Sequence, residues 1–339
     1  MTKSPADTKL VISARLRFTL WRVPEELAGR IRARWPGMNV VYLPHHDLLA
    51  PELPDTDIFV GYLLRPEQLR VAKRLAWLHS ISAGVSQLMY PELRESNIVV
   101  TNASGVHAAP MAEHVAGFVI ALARDFPGAM RYQLRRQWAQ QEIWDGPARP
   151  REVANLLALI VGFGAVGQAI AERLRALGMR IWAVSRSGQM DPAITRPALA
   201  ERLFPAVQLD AALPEADFVV LAAPETAETR HLIGAPQFAL MKPGAFLINV
   251  ARGSLIDEPA LVAALEGRSI AGAAIDVAAE EPLPAASPLW ARENVFITPH
   301  VSGTSERVWE RENELLLDNL ERWFSGQELR NRVDLKRGY

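Results

Sequence analysis

Apolar positions in the first third of the chain come in short β-rich runs separated by charged or amphipathic stretches. The runs are Leu10-Val11-Ile12, Val40-Val41-Tyr42-Leu43, Ile58-Phe59-Val60, Trp77-Leu78-His79-Ser80-Ile81 and Ile98-Val99-Val100. That rhythm predicts a parallel βα unit. Pro110 then opens a run with Met111, Val115, Phe118, Val119 and Leu122 at helical spacing, which predicts one long helix over 109–126. From Gln133 to Arg151 arginines, tryptophans and prolines break the periodicity, as in a connection between units. Continuous apolar runs follow at Leu156 to Val161, Ile181 to Val184, Phe218 to Leu221, Phe246 to Val250, Ala273 to Val277 and Val295 to Thr298. Their spacing leaves room for crossover helices and predicts a doubly wound nucleotide-binding sheet. After Ser305 an apolar stripe of Val308, Trp309, Leu315, Leu316, Leu320 and Trp323, stopping at Gly326, predicts a closing helix.

A chain of 339 residues exceeds what one hydrophobic core usually serves, so two α/β domains are predicted. With 49% apolar and 22% charged residues and a formal charge of -1, it has the composition of a soluble globular protein. It carries no electrostatic footprint for nucleic acid or an anionic membrane, which leaves small metabolites as partners. Met1 to Asp7 is polar, unlike a signal peptide, and no apolar run approaches membrane-spanning length, so a cytoplasmic protein is predicted. With no cysteine, disulfides and thiolate chemistry are excluded. His45, His46, His107 and His114 lack metal-ligand spacing, and no metal is predicted. Trp138, Trp144 and Trp290 could border the crevice, with packing the favoured reading.

Gly162-Phe163-Gly164-Ala165-Val166-Gly167 follows the first strand of the second sheet and opens a helical run that Gly178 ends. Gly162 permits the tight turn, Gly164 lets the backbone approach a pyrophosphate, and Gly167 lets helix and strand pack closely. The helix start at Ala165 and Val166 then faces the negative charge. In this context the loop predicts a dinucleotide. The next strand ends in Ser185-Arg186-Ser187 rather than in a carboxylate for the ribose hydroxyls. Two hydroxyls and a guanidinium suit a 2'-phosphate, which favours NADP, with NAD as the alternative.

Arg252, Glu281 and His300 each follow a predicted strand, at the carboxyl edge where open α/β sheets bind ligands. Together they supply what carbonyl reduction needs: a cation for a carboxylate and carbonyl, a proton donor, and a carboxylate to hold that donor.

At these positions the sequence resembles the D-isomer-specific 2-hydroxyacid dehydrogenase family. The resemblance is carried by Ser82-Ala83-Gly84-Val85, Ala112-Glu113-His114, the glycine loop, Met241 to Gly244, Asn249 to Gly253, Asp276-Val277 with Glu281-Pro282, and Thr298-Pro299-His300. It implies a Rossmann dinucleotide-binding domain at 106–300 and a smaller flavodoxin-like substrate domain made from 1–105 and 301–339. It implies that Arg252 binds the substrate, that His300 protonates the carbonyl oxygen, and that Glu281 holds His300 charged near neutral pH. By the same resemblance Ala83, Gly84 and Val85 close on the substrate carboxylate, Pro224, Val250 and Ala251 line the cofactor, and Asp276 touches the nicotinamide carboxamide. A homodimer is implied through the long helix, and glyoxylate and hydroxypyruvate are the first candidate substrates. Ser86 departs from an acidic or amide residue common after the Ser-Ala-Gly-Val run, and Ala154-Asn155 replaces the usual Gly-Lys. A dinucleotide-sensing regulatory protein on the same fold and a formate or phosphite type of dehydrogenase stay open as alternatives.

Overall fold

The computed structural model describes residues 4–14, 21–146, 149–188 and 199–338. Residues 1–3 of the polar N-terminus and 147–148 of the connecting stretch lie outside them. The chain forms two compact units, one of Met1–His107 with Ser305–Tyr339 and one of Ala108–Thr304.

In the first unit the apolar runs become strands β1 (Lys9–Ser13), β2 (Asn39–Leu43), β3 (Ile58–Gly61), β4 (Trp77–Ser80) and β5 (Val99–Asn102). They form a parallel sheet in the order β2-β1-β3-β4-β5, the flavodoxin-like order. Alternate residues of β1 serve opposite faces: Leu10 and Ile12 pack with Ile31, Trp77 and Leu316, while Val11 packs with Leu53, Phe59 and Leu78. The closing helix, Val308–Phe324, puts Leu316 and Leu320 into the first of these layers, so both chain ends build one core. A buried chain also joins them. Trp77 Nε1 donates to Thr101 Oγ1 (2.8 Å), which meets His79 Nδ1 (2.8 Å), while His79 Nε2 meets Glu312 Oε1 (2.9 Å) on the closing helix.

The second unit holds β6 (Leu157–Val161), β7 (Arg180–Ser185), β8 (Arg202–Pro205), β9 (Phe218–Leu221), β10 (Phe246–Asn249), β11 (Gly272–Ile275) and β12 (Val295–Ile297). All run parallel in the order β12-β11-β10-β9-β6-β7-β8, with core layers on both faces. The winding direction reverses between β6 and β9, where doubly wound sheets open a crevice for ligand. The strand β8 is one more than the apolar runs predict. It is an edge strand of mixed composition, ending at Pro205, which an edge tolerates. Its face is closed by Arg202, whose guanidinium stacks on Trp182 (4.6 Å) and Phe204 (4.8 Å).

The long helix runs from Ala108 to Ala123, with Pro110 in its first turn, and Asp125 starts a second helix, Phe126–Leu134. The Asp125 side chain accepts from the Gly128 amide at 3.1 Å, which caps that helix. Reading Trp138, Trp144 and Trp290 as packing residues is corrected: all three are exposed, Trp138 at 95%. Trp138 and Trp144 belong to a helical arm between the long helix and β6, which also exposes Phe126, Met130 and Leu134. Among the described residues no helix is long and apolar enough to cross a membrane.

Candidate active site

At the end of β6 the chain must turn against the loop that follows β9. Gly162 does this at φ +99°, and a Cβ there would lie 2.5 Å from the Ala223 amide nitrogen, so only glycine fits. A Cβ on Gly167 would run into the Gly162 carbonyl, and its absence seats the helix Ala165–Ala176 against the turn. Gly164 differs. It is exposed, it caps the helix without a side chain, and nothing lies within 4 Å of where its Cβ would be. The amides of Ala165 and Val166 therefore begin a helix beneath open space, a donor set that fits a pyrophosphate. On this geometry the residues present fit a dinucleotide.

Ser185 ends β7, and Arg186 and Ser187 are exposed beyond it. The turn is pinned by Gly188 at φ +71° and by a bridge from Ser187 to Pro205. Glu228, on the loop after β9, is held below the usual carboxylate range, first by the Thr226 hydroxyl and with a smaller contribution from the Arg186 charge. Arg186 thus has a carboxylate within electrostatic reach. On the same loop Pro224 is exposed and its carbonyl accepts from Thr229 Oγ1 at 2.7 Å. Val250 and Ala251 bury their side chains in the two core layers, which leaves only their backbone for a ligand.

Three loops at the carboxyl ends of β10, β11 and β12 carry the chemical side chains. At the end of β10, the buried Asn249 folds the chain back: its Oδ1 accepts from the Ala251 amide (3.0 Å) and its Nδ2 donates to the Arg252 carbonyl (2.9 Å). Arg252 Nη1 donates to the Ala251 carbonyl at 2.7 Å. A Cβ on Gly253 would collide with the Ala278 carbonyl, so this glycine brings the Arg252 loop against the loop that carries Glu281. Glu281 Oε1 accepts from the Ala278 amide (3.1 Å), and Oε2 is 2.6 Å from His300 Nδ1. Burial alone would raise the Glu281 carboxyl. The hydrogen bond and charge of His300, the Ala278 amide and the Arg252 charge outweigh it and hold the group below the usual carboxylate range. An ionised Glu281 can only accept, so His300 carries its proton on Nδ1. His300 Nε2 has no hydrogen-bond partner among the described residues, and the side chain is 47% exposed. The cation, the carboxylate and the imidazole thus meet within one unit, with one ring nitrogen fixed and the other open.

Asp276, assigned by resemblance to the nicotinamide carboxamide, also holds a neighbouring loop. Its side chain is fully buried, and both oxygens are engaged by the loop that carries His300: Oδ1 by Thr298 and Val301, Oδ2 by Ser302. Asn249, Gly253 and Thr298 were not singled out as site residues. Each sits one or two positions from one that was; Asn249 is distinguished by its hold on the Arg252 loop, and Gly253 and Thr298 by a contact with another strand's loop. Among the described residues no group of three or more His, Asp and Glu could hold a metal ion.

In the first unit, Ala83, Gly84 and Val85 follow β4. Ala83 is exposed and its carbonyl accepts from Asn102 Nδ2 at 2.8 Å, while Val85 is buried among Leu64, Leu78 and Leu88. The loop is therefore held from both sides, with Gly84 between.

The family model for the NAD binding domain of D-isomer specific 2-hydroxyacid dehydrogenases matches residues 116–302. Over 285 residues the chain is 34% identical to the glyoxylate reductase of Pyrococcus furiosus, covering 82% of each protein. It is 30% identical to the D-3-phosphoglycerate dehydrogenase of Methanocaldococcus jannaschii over 85% of this chain, and spans about half (53%) of that relative's length. Among solved structures, a D-isomer specific 2-hydroxyacid dehydrogenase from Xanthobacter autotrophicus Py2, in complex with NADPH and MES, matches with a TM-score of 0.80. At 28% identity that match covers 98% of this chain and 99% of the other. With its glycine loop, its Arg252, Glu281 and His300 loops and these likenesses, the chain belongs to the D-isomer-specific 2-hydroxyacid dehydrogenase family.

Proposed function

We propose that this protein reduces a small 2-oxo acid, with glyoxylate and hydroxypyruvate as first candidates, to the D-2-hydroxy acid, using NADP in preference to NAD. The observation that carries the reading is the 2.6 Å pair of His300 Nδ1 and Glu281 Oε2 beside the Arg252 charge, with His300 Nε2 open. Arg252 binds the substrate carboxylate and draws electron density toward the carbonyl oxygen, where negative charge develops. His300 delivers the Nε2 proton to that oxygen as the carbonyl becomes an alcohol, and Glu281 stabilises the imidazolium before transfer and keeps the ring oriented after it. The glycine loop 162–167 would hold a nicotinamide dinucleotide, which would supply the hydride that the carbonyl carbon accepts. In the oxidative direction neutral His300 removes the alcohol proton. The amides of Ala83 to Val85 are assigned to the substrate carboxylate, which makes the unit of both chain ends the substrate domain and the unit 108–304 the cofactor domain.

The preference for NADP rests on Arg186 between Ser185 and Ser187, where a carboxylate would repel a 2'-phosphate. The exposed apolar side chains Phe126, Met130, Leu134 and Trp138 support a homodimer formed through the helical arm. A reaction that draws on reduced nicotinamide is in keeping with a cytoplasmic enzyme.

The reading is tested by initial rates of NADPH and NADH oxidation over a panel of 2-oxo acids, with NADP or NAD reduction by formate and phosphite as the comparison and Arg186→Ala as a second protein. Turnover of glyoxylate or hydroxypyruvate with NADPH, lost selectively in Arg186→Ala, is the expected result. Equal use of NADH by both proteins overturns the cofactor assignment, and turnover confined to formate or phosphite overturns the substrate class.

A further inference from the structure

His300 occupies the left-handed region, φ +55°, which a side chain with a Cβ rarely adopts unless its surroundings impose it. The surroundings here are one buried carboxylate. Asp276 Oδ1 accepts from Thr298 Oγ1 (2.5 Å) and the Val301 amide (2.9 Å), and Oδ2 accepts from the Ser302 amide (2.9 Å). The Asp276 backbone carbonyl accepts from the His300 amide itself at 2.8 Å. The loop 298–302 is therefore wrapped around the end of β11, and the direction of the His300 side chain follows from that wrapping.

A further side chain enters behind it. His114, on the long helix, places Nε2 3.1 Å from Thr298 Oγ1 and 3.9 Å from Asp276 Oδ1. Thr298 has one hydroxyl proton, and it points to a carboxylate that can only accept. With that proton committed, Oγ1 can only accept from His114, which requires the proton of His114 on Nε2. The ring is set edge-on against Phe118 (4.4 Å), which in turn packs edge-on against Phe296 of β12 (5.4 Å). Burial is the largest influence on His114 and pushes it below its ordinary value despite the Asp276 charge, in keeping with a neutral ring that donates one hydrogen bond.

We propose that Thr298 and His114 are positioning residues for the reaction: His114 orients the Thr298 hydroxyl, Thr298 fixes Asp276 Oδ1, and Asp276 holds the loop that presents His300 to Glu281 and substrate. This inference rests on His300 as the acid and base of the proposed reaction. It goes beyond that reading because neither residue reaches the reacting atoms.

The test compares Thr298→Val, which keeps the shape and removes the hydroxyl, with Thr298→Ser, which keeps the hydroxyl. His114→Leu and His114→Gln form a second pair, since glutamine retains a donor at Nε2. In Thr298→Val and His114→Leu kcat should fall by roughly tenfold to a hundredfold, while NADPH affinity, read from tryptophan fluorescence, changes by less than about twofold. The serine and glutamine variants should recover to within about threefold of the native kcat. In nitrogen-15 spectra of the imidazoles, His114 should be the Nε2-protonated tautomer, and the His300 ring signals should move in Thr298→Val and stay in Thr298→Ser. Native kcat in Thr298→Val, equal losses in the valine and serine variants, or unmoved His300 signals would overturn the inference. Should Thr298→Val not fold, the His114 pair decides by the same criteria. His300→Ala, assayed alongside, keeps the two claims apart: activity surviving there removes the acid-base reading, whereas activity lost there and retained in Thr298→Val and His114→Leu removes only the positioning.

Discussion

At the residue scale, the pair of His300 and Glu281 sets the chemistry. With Nδ1–H committed to the carboxylate, the ring can exchange a proton only through Nε2, so one hydrogen bond fixes both tautomer and direction. Folding lowers the Glu281 carboxyl, which gives its contribution to stability a definite sign. That contribution is complete above the unfolded glutamate value and is lost as pH falls through the lower, folded value. The Tm advantage of the native protein over Glu281→Gln should therefore be constant at neutral and weakly acidic pH and shrink only below the ordinary glutamate range. A gap that widens on acidification would contradict the assigned ionisation. Because the pair is half exposed, the gap should also be modest and narrow in high salt. Arg252 owes its place to Asn249 and Gly253, and Gly253 must lack a Cβ because the Ala278 carbonyl occupies that space.

At the scale of elements, what was legible in the sequence is what periodicity and steric exclusion report locally. The strands of both sheets show as apolar runs because parallel strands are covered on both faces. The phosphate loop shows because a strand, three glycines and a helix start coincide there. The edge strand Arg202–Pro205 was not legible, since its apolar face is one residue pair closed by an arginine stacked on two rings, a contact made across strands. The hold of Asp276 on the next loop was not legible for a similar reason: a carboxylate at a strand end looks the same in sequence whether or not it also takes the amides of the next loop. Its partners Thr298, Val301 and Ser302 lie 22 to 26 positions further along, and only the fold brings them together. His114 had no metal spacing to mark it, and its hydrogen bond to Thr298 spans 184 positions.

At the scale of the whole molecule, the chain passes between the two units at His107/Ala108 and again at Thr304/Ser305, so the His300 loop lies wholly in the second unit with Arg252 and Glu281. The arm exposes Trp138 (95%) and Leu134 (84%), against the usual burial of big apolar side chains. If a second copy covers it, light scattering should report two chains per particle, and the double variant Leu134→Glu with Trp138→Glu should report one. A native protein with one chain per particle would contradict the dimer. The proposed reaction depends on His300 as the group that protonates a substrate carbonyl. The direct measurement is the rate of NADPH oxidation with glyoxylate or hydroxypyruvate in His300→Ala, beside its NADPH affinity. A fall of about 10²- to 10⁴-fold in kcat with native cofactor affinity is predicted. Native kcat in that variant, at the same affinity, would contradict it.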